Sequence, residues 1–154
     1  MPAPASSNGG VLTTVSLTQH PELWNAVVVE SPLVDMLRYH KLSAGASWVG
    51  EYGNPDIPEQ RAWIEEYSPY QRLAAGQPYP EVFIHTSTKD DRVHPGHARK
   101  MTAALEAAGH EIQYYENTEG GHAGAADNAQ EARKAVLTYE FFRHRLPRRR
   151  PRQD

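Results

Sequence analysis

Ser7-Asn8-Gly9-Gly10, followed by Val11-Leu12, decides how the rest of this sequence is read. A serine ahead of Asn-Gly-Gly and an apolar pair predicts a sharp turn into a helix, which lifts a hydroxyl clear of its own backbone. A serine hydroxyl is a poor nucleophile at neutral pH. It needs an imidazole to take its proton and a carboxylate to orient that imidazole. The matching acid is Asp90 and the matching base is His122. The turn signal is weakened by Ala5, which stands where a first glycine of the pattern would allow close packing. Met1-Pro2-Ala3-Pro4-Ala5-Ser6 holds two prolines that remove ladder donors, so residues 1–6 are expected to form an irregular arm, not a strand. On this stretch alone the plainer reading is a polar arm that ends in a helix N-cap, Ser7 or Asn8.

Working outward, Val11 to Gln19 carries a modest helical stripe that stops before Pro21. Ala26-Val27-Val28-Val29 is a β-branched run of the kind buried inside a parallel sheet. Asp35 to His40 suggests a short helix. Gly45 to Pro58, rich in Gly, Asn, Asp and Pro, reads as a long loop holding Trp48 and Tyr52. Glu59 to Tyr67 is a further helix, with Trp63 and Ile64 expected on its inner face. Val82-Phe83-Ile84-His85-Thr86 is a second apolar strand, and Asp90-Asp91-Arg92 follows at its C-terminal end, where sites gather in open α/β sheets. Ala98, Met101, Leu105 and Ala108 keep helical spacing until Gly109. Glu111 to Glu116 alternates as a third strand and leads into Gly120-Gly121-His122. The last helix, from about Asp127 to Leu146, is expected to face inward with Ala132, Ala135, Val136, Tyr139 and Phe142.

Alternating helices and strands predict an α/β fold in three layers, a short parallel sheet of about three strands flanked by helices. Ser7, Asp90 and His122 would then share one rim, and their order along the chain is that of the α/β hydrolases. The 154 residues, 39% hydrophobic, suit one domain with one core. A formal charge of -3 gives no field to attract nucleic acid or an anionic membrane. Cysteine is absent, which excludes disulfides and thiolate metal sites. With no charged-then-apolar leader and no run of roughly 18 apolar residues, a soluble, cytoplasmic protein is expected.

Taken together these segments resemble the C-terminal part of the catalytic domain of the prolyl oligopeptidase family of serine peptidases. The resemblance is carried by Ser7-Asn8-Gly9-Gly10, Asp35-Met36-Leu37-Arg38-Tyr39-His40-Lys41, the Gly45 to Asp56 loop, Tyr67-Ser68-Pro69-Tyr70, Asp90-Asp91-Arg92-Val93 and Gly120-Gly121-His122. It implies a partial α/β-hydrolase fold over residues 7–146; composition alone makes residues 147–154 a basic, disordered tail. Ser7 would match the nucleophile, the backbone N–H of Asn8 an oxyanion donor, Asp90 the triad acid and His122 the base. Trp48 would match the indole that stacks on a substrate proline, with Tyr52 and Val93 beside it, and Arg92 the guanidinium that grips a substrate carbonyl. The substrates implied are short proline-containing peptides, cut after proline; no metal or organic cofactor is implied.

The family's β-propeller, the earlier strands of its sheet and a tyrosine that supplies a second oxyanion donor are expected upstream and are not in this sequence. An uncovered sheet edge would invite self-association or pairing with that N-terminal part. The second functional reading is therefore a truncated, non-catalytic remnant that associates through its edge. Single residues also have plainer readings: His122 as a loop residue, Asp90 as a turn or capping aspartate, Trp48 as core. His94 and His97 have a spacing a metal could use, but no third ligand accompanies them. The Arg148-Arg149-Arg150-Pro151-Arg152 cluster reads as a solvated terminus.

Overall fold

A computed structural model describes residues 5–145 of the chain. Four parallel strands lie in the order β1-β2-β3-β4: β1 (Ala5–Ser6), β2 (Ala26–Glu30), β3 (Glu81–Ser87) and β4 (Ile112–Asn117). The helices are α1 (Asn8–Gln19), α2 (Val49–Tyr52), α3 (Pro58–Glu65), α4 (Pro69–Arg72), α5 (Gly96–Ala107) and α6 (Asn128–Arg145).

The sheet is central because its middle strands are apolar on both faces over Ala26–Val29 and Val82–Ile84 and buried throughout those runs. In β2 and β3, alternate side chains point to opposite sides. Val27, Val29, Val82 and Ile84 meet Leu17 of α1 and Ala98, Met101 and Leu105 of α5. Ala26, Val28 and Phe83 meet Phe141 and Phe142 of α6. Met101 and Leu105 are completely buried, so cutting either back to alanine would cost about 2–5 kcal/mol. A third cluster, Val11, Leu33, Met36, Leu37, Tyr39, Ile64 and Val93, packs between α1, α3 and the chain after β2.

Several expectations are corrected. The sheet has four strands, not about three: Ala5 and Ser6 pair in parallel register with Val29 and Glu30, where an irregular arm was expected. A two-residue edge strand needs few ladder donors, so nearby prolines do not forbid it. Met1–Pro4 lie outside the described residues, as does the basic tail. A 3-10 segment at Ser43–Trp48 runs into the Gly45 to Pro58 stretch, which also holds helix α2, because two aromatic residues fold it back onto the third cluster. Asp35 to His40 makes turns ending in a 3-10 segment at Tyr39–Lys41, not an α-helix. On α3, Ile64 is buried but Trp63 is exposed. The inner face of α6 is Lys134, Thr138, Phe141 and Phe142, while Val136 and Tyr139 point outward. A lysine on the buried face has no place in a hydrophobic periodicity, so the observed inner face is rotated from the expected apolar stripe.

Candidate active site

Strand direction alone puts the three predicted residues on one rim. Ser7 follows the C-terminal end of β1, Asp90 that of β3 and His122 that of β4, and all these strands are parallel. Ser7 is held there by its backbone. Its N–H donates to the Glu30 carbonyl (3.0 Å) and its carbonyl accepts from the Gly10 N–H (2.9 Å). The turn forces Ser7 to φ 55°, ψ -117°, a region that costs a non-glycine residue about 1–3 kcal/mol. Behind it, α1 runs so close to the chain after β2 that a Cβ on Gly10 would lie 2.8 Å from Pro32. The second glycine is therefore demanded by packing.

Asp90 and His122 are in direct contact. His122 Nδ1 lies 3.0 Å from Oδ1 and 2.9 Å from Oδ2 of Asp90. The carboxylate is itself fixed, since Oδ1 accepts the backbone N–H groups of Arg92 (3.0 Å) and Val93 (2.9 Å). The Asp90 side chain is fully buried and the His122 ring 18% exposed, so the pair is shielded but one side of the imidazole can be reached.

The loop that carries His122 is strapped by Asn117, a residue sequence reasoning missed. Its Nδ2 donates to Gly124 O (2.9 Å) and Gln130 Oε1 (2.7 Å), and its Oδ1 accepts from the N–H groups of Glu119 (3.0 Å) and Gly120 (3.4 Å). The only signal for it was an asparagine closing a strand before a glycine-rich turn. Gly120 must be glycine, because a Cβ there would lie 2.7 Å from Ala125 N. From β4 the loop crosses back over the sheet. The carbonyl of Ala123 accepts from Lys134 Nζ at 3.0 Å, and the same nitrogen is 3.5 Å from Glu30 Oε2 at the end of β2. His122 is thus brought toward the strand next to the Ser7 turn.

A cavity of about 200 Å³ opens beside Ser7, lined by Ser7, Asn8, Trp48, Tyr52 and Arg92, with Leu33 and Glu51 between them. It is smaller than the pockets that hold drug-sized ligands and suits a single side chain. Trp48 is half-buried and Arg92 exposed. Val93 does not reach this cavity; it is buried in the cluster on which Trp48 and Tyr52 pack. The wall is hydrogen-bonded to the turn, for Asn8 Nδ2 donates to Glu51 Oε1 (3.1 Å) and Tyr52 Oη donates to Asn8 Oδ1. Burial, reinforced by Glu51, pushes the Tyr52 phenol up to about 12, so it remains a neutral donor. A larger hollow of about 390 Å³ lies at the opposite rim, near Glu81, His110 and Ile112; none of the predicted site residues reaches it.

Among the described residues no three His, Asp or Glu side chains converge as metal ligands. His94 Nδ1 accepts from the Gly96 N–H (2.9 Å), and His97 Nδ1 from the N–H groups of Asp35 (3.2 Å) and Val34 (3.4 Å). No helix among them is long and apolar enough to cross a membrane.

A parallel sheet with a serine turn and an Asp–His contact on its C-terminal rim is the architecture of an α/β-hydrolase domain. Residues 6–148 match the prolyl oligopeptidase family, and the chain belongs to that family. It is 52% identical over 140 residues to an uncharacterized peptidase of Sinorhizobium fredii, covering 91% of this chain and 19% of that protein. A prolyl endopeptidase of Elizabethkingia miricola is 40% identical over 102 residues, 66% of this chain and 14% of that protein. A solved post-proline cleaving enzyme from Rickettsia typhi superposes with a TM-score of 0.90 at 40% identity, over 93% of this chain and 21% of that one. The chain therefore spans about one fifth of the length of that solved relative.

Proposed function

We propose that this chain carries the reacting groups of a serine peptidase that cuts short peptides after proline. The Asp90–His122 contact, set on the same rim as a strained Ser7, is the observation that supports this reading most. Asp90 accepts the Nδ1–H and leaves Nε2 as the base. Nε2 takes the Ser7 proton as Oγ attacks the scissile carbonyl. The oxyanion is met by the N–H of Asn8, a first-turn group with no acceptor inside its own helix. His122 then passes the proton to the leaving amine, and water repeats the sequence to free the acyl group. Trp48 and Tyr52 offer aromatic faces to a pyrrolidine ring, with Val93 supporting them from below, and Arg92 offers a planar fork to a peptide carbonyl.

The test is covalent. A fluorophosphonate should label Ser7, with Oγ displacing fluoride from phosphorus, and Ser7→Ala should abolish the label. Folded protein that takes up no label, or is labelled equally after Ser7→Ala, contradicts the reading.

The outer edge of β1 is open among the described residues, and we propose that it receives a strand from the preceding part of a longer protein or from a second copy. A monodisperse monomer by light scattering, unaltered by adding a separately made N-terminal portion, would oppose that.

A further inference from the structure

Lys134 sits on the buried face of α6 and is only 9% exposed. An ammonium withdrawn from water must find partners at fixed positions or it destabilises the fold. Lys134 has three: the Ala123 carbonyl at 3.0 Å, Glu131 Oε2 at 3.1 Å and Glu30 Oε2 at 3.5 Å. The other oxygen of Glu30 lies 2.8 Å from His85 Nε2 on β3. Burial opposes ionisation of Glu30, yet His85 and Lys134 outweigh it and keep the carboxyl below its ordinary range. The group is therefore charged and paired at neutral pH.

Two of these contacts reach the proposed chemistry from opposite sides. Ala123 is the residue after His122, and Glu30 is the residue whose backbone carbonyl holds the Ser7 N–H. The loop also lies on the aliphatic stem of Lys134, since a Cβ on Gly124 would come within 3.3 Å of its Cδ. Packing alone does not call for a charge here. Phe141, Phe142 and Leu137 of the same helix already form an apolar layer on the sheet, and a methionine at 134 would extend it without an ammonium to desolvate, at the expense of leaving Glu30 and the Ala123 carbonyl without their donor.

We propose that Lys134, acting with Glu30, is a positioning residue that fixes the base loop relative to the nucleophile turn. The ammonium clamps the carbonyl next to His122 to the strand end that holds Ser7. The inference rests on the peptidase reading of Ser7, Asp90 and His122. It adds to that reading a residue whose polar partners are Ala123, Glu131 and Glu30 and none of the three side chains.

The test uses the purified chain and two readouts. One is the low-field proton resonance of His122 Nδ1–H, assigned by its loss in Asp90→Asn. The other is the rate of fluorophosphonate labelling at Ser7. Lys134→Met, in protein that keeps native amide dispersion, should broaden or abolish the resonance and slow labelling by about 10–100-fold, as displacements near 1 Å do. Lys134→Arg, which keeps charge and donor, should restore the resonance and most of the rate. Glu30→Gln keeps the backbone bond to Ser7 and should move both readouts in the same direction by less; it carries the test if Lys134→Met does not fold. An unchanged resonance and rate in the folded variant, with only a lower melting temperature, overturns the proposal. If the wild-type chain takes no label, the peptidase reading falls, while the His122 resonance still decides for or against Lys134.

Discussion

Asp90 meets His122 with both carboxylate oxygens, at 3.0 and 2.9 Å from the same ring nitrogen. Asp90→Asn keeps the size but presents an amide that can donate to Nδ1, which favours the wrong tautomer. The expected outcome is a drop of roughly 10⁴-fold in Ser7 labelling, the loss of turnover that the wrong tautomer causes in a Ser-His-Asp triad. Asp90→Ala also strands the N–H groups of Arg92 and Val93 and should cost about 1–3 kcal/mol in urea unfolding. Labelling at the wild-type rate in folded Asp90→Asn would remove the acid from the mechanism.

Ser7 at φ 55° is a strained position, and glycine adopts it freely. After its own chain-entropy cost, Ser7→Gly should raise stability by about 1 kcal/mol while ending all labelling. Thermal unfolding checks the sign. A lower melting temperature would mean that the turn carries no strain for glycine to release.

Gly10 faces Pro32 with no room for a methyl group. Gly10→Ala must push α1 away from the chain after β2, at about 1–3 kcal/mol, and should carry Ser7 with it. The expected signature is a combined loss of stability and labelling rate; unaffected labelling would uncouple the helix position from the turn.

His97 predicts a pH dependence of stability. Burial pushes its imidazole down to about 4, against a partial counter-effect of Asp35. The unfolded chain, with an ordinary histidine near 6.5, binds the proton more readily in the window between. Stability is thus fully present above pH 6.5 and should fall by roughly 3 kcal/mol as pH drops to 4. His97→Gln, which can still accept from the Asp35 N–H, should flatten that slope. Urea midpoints at pH 7, 5.5 and 4 decide it, and an equal slope in both proteins would assign the effect elsewhere.

Asn117 closes the His122 loop with four hydrogen bonds. Asn117→Ala should cost about 1–3 kcal/mol, since the Glu119 and Gly120 N–H groups lose their acceptor. Faster hydrogen exchange at those two amides, with α5 unchanged, is the expected pattern.

Local signals were enough for the class of fold and for the chemistry to look for. Continuous β-branched runs such as Val27-Val28-Val29 can only be satisfied by burial on both faces, and a nucleophile, acid and base each placed after a strand share a rim whenever the strands are parallel. Local rules reached that far because each such signal lies within a few residues. What they could not supply were partners remote along the chain. The pairing of Ala5–Ser6 with Val29–Glu30 was hidden by the prolines before it. The outward turn of Trp63 and Val136 depends on which neighbours cover a helix. Lys134 carries no local mark of burial, because its partners are Ala123 and Glu30, the latter 104 residues away. Tertiary structure decided these because a charge, an edge strand or an aromatic ring is stable only beside groups that complete it, and folding alone brings those groups within reach.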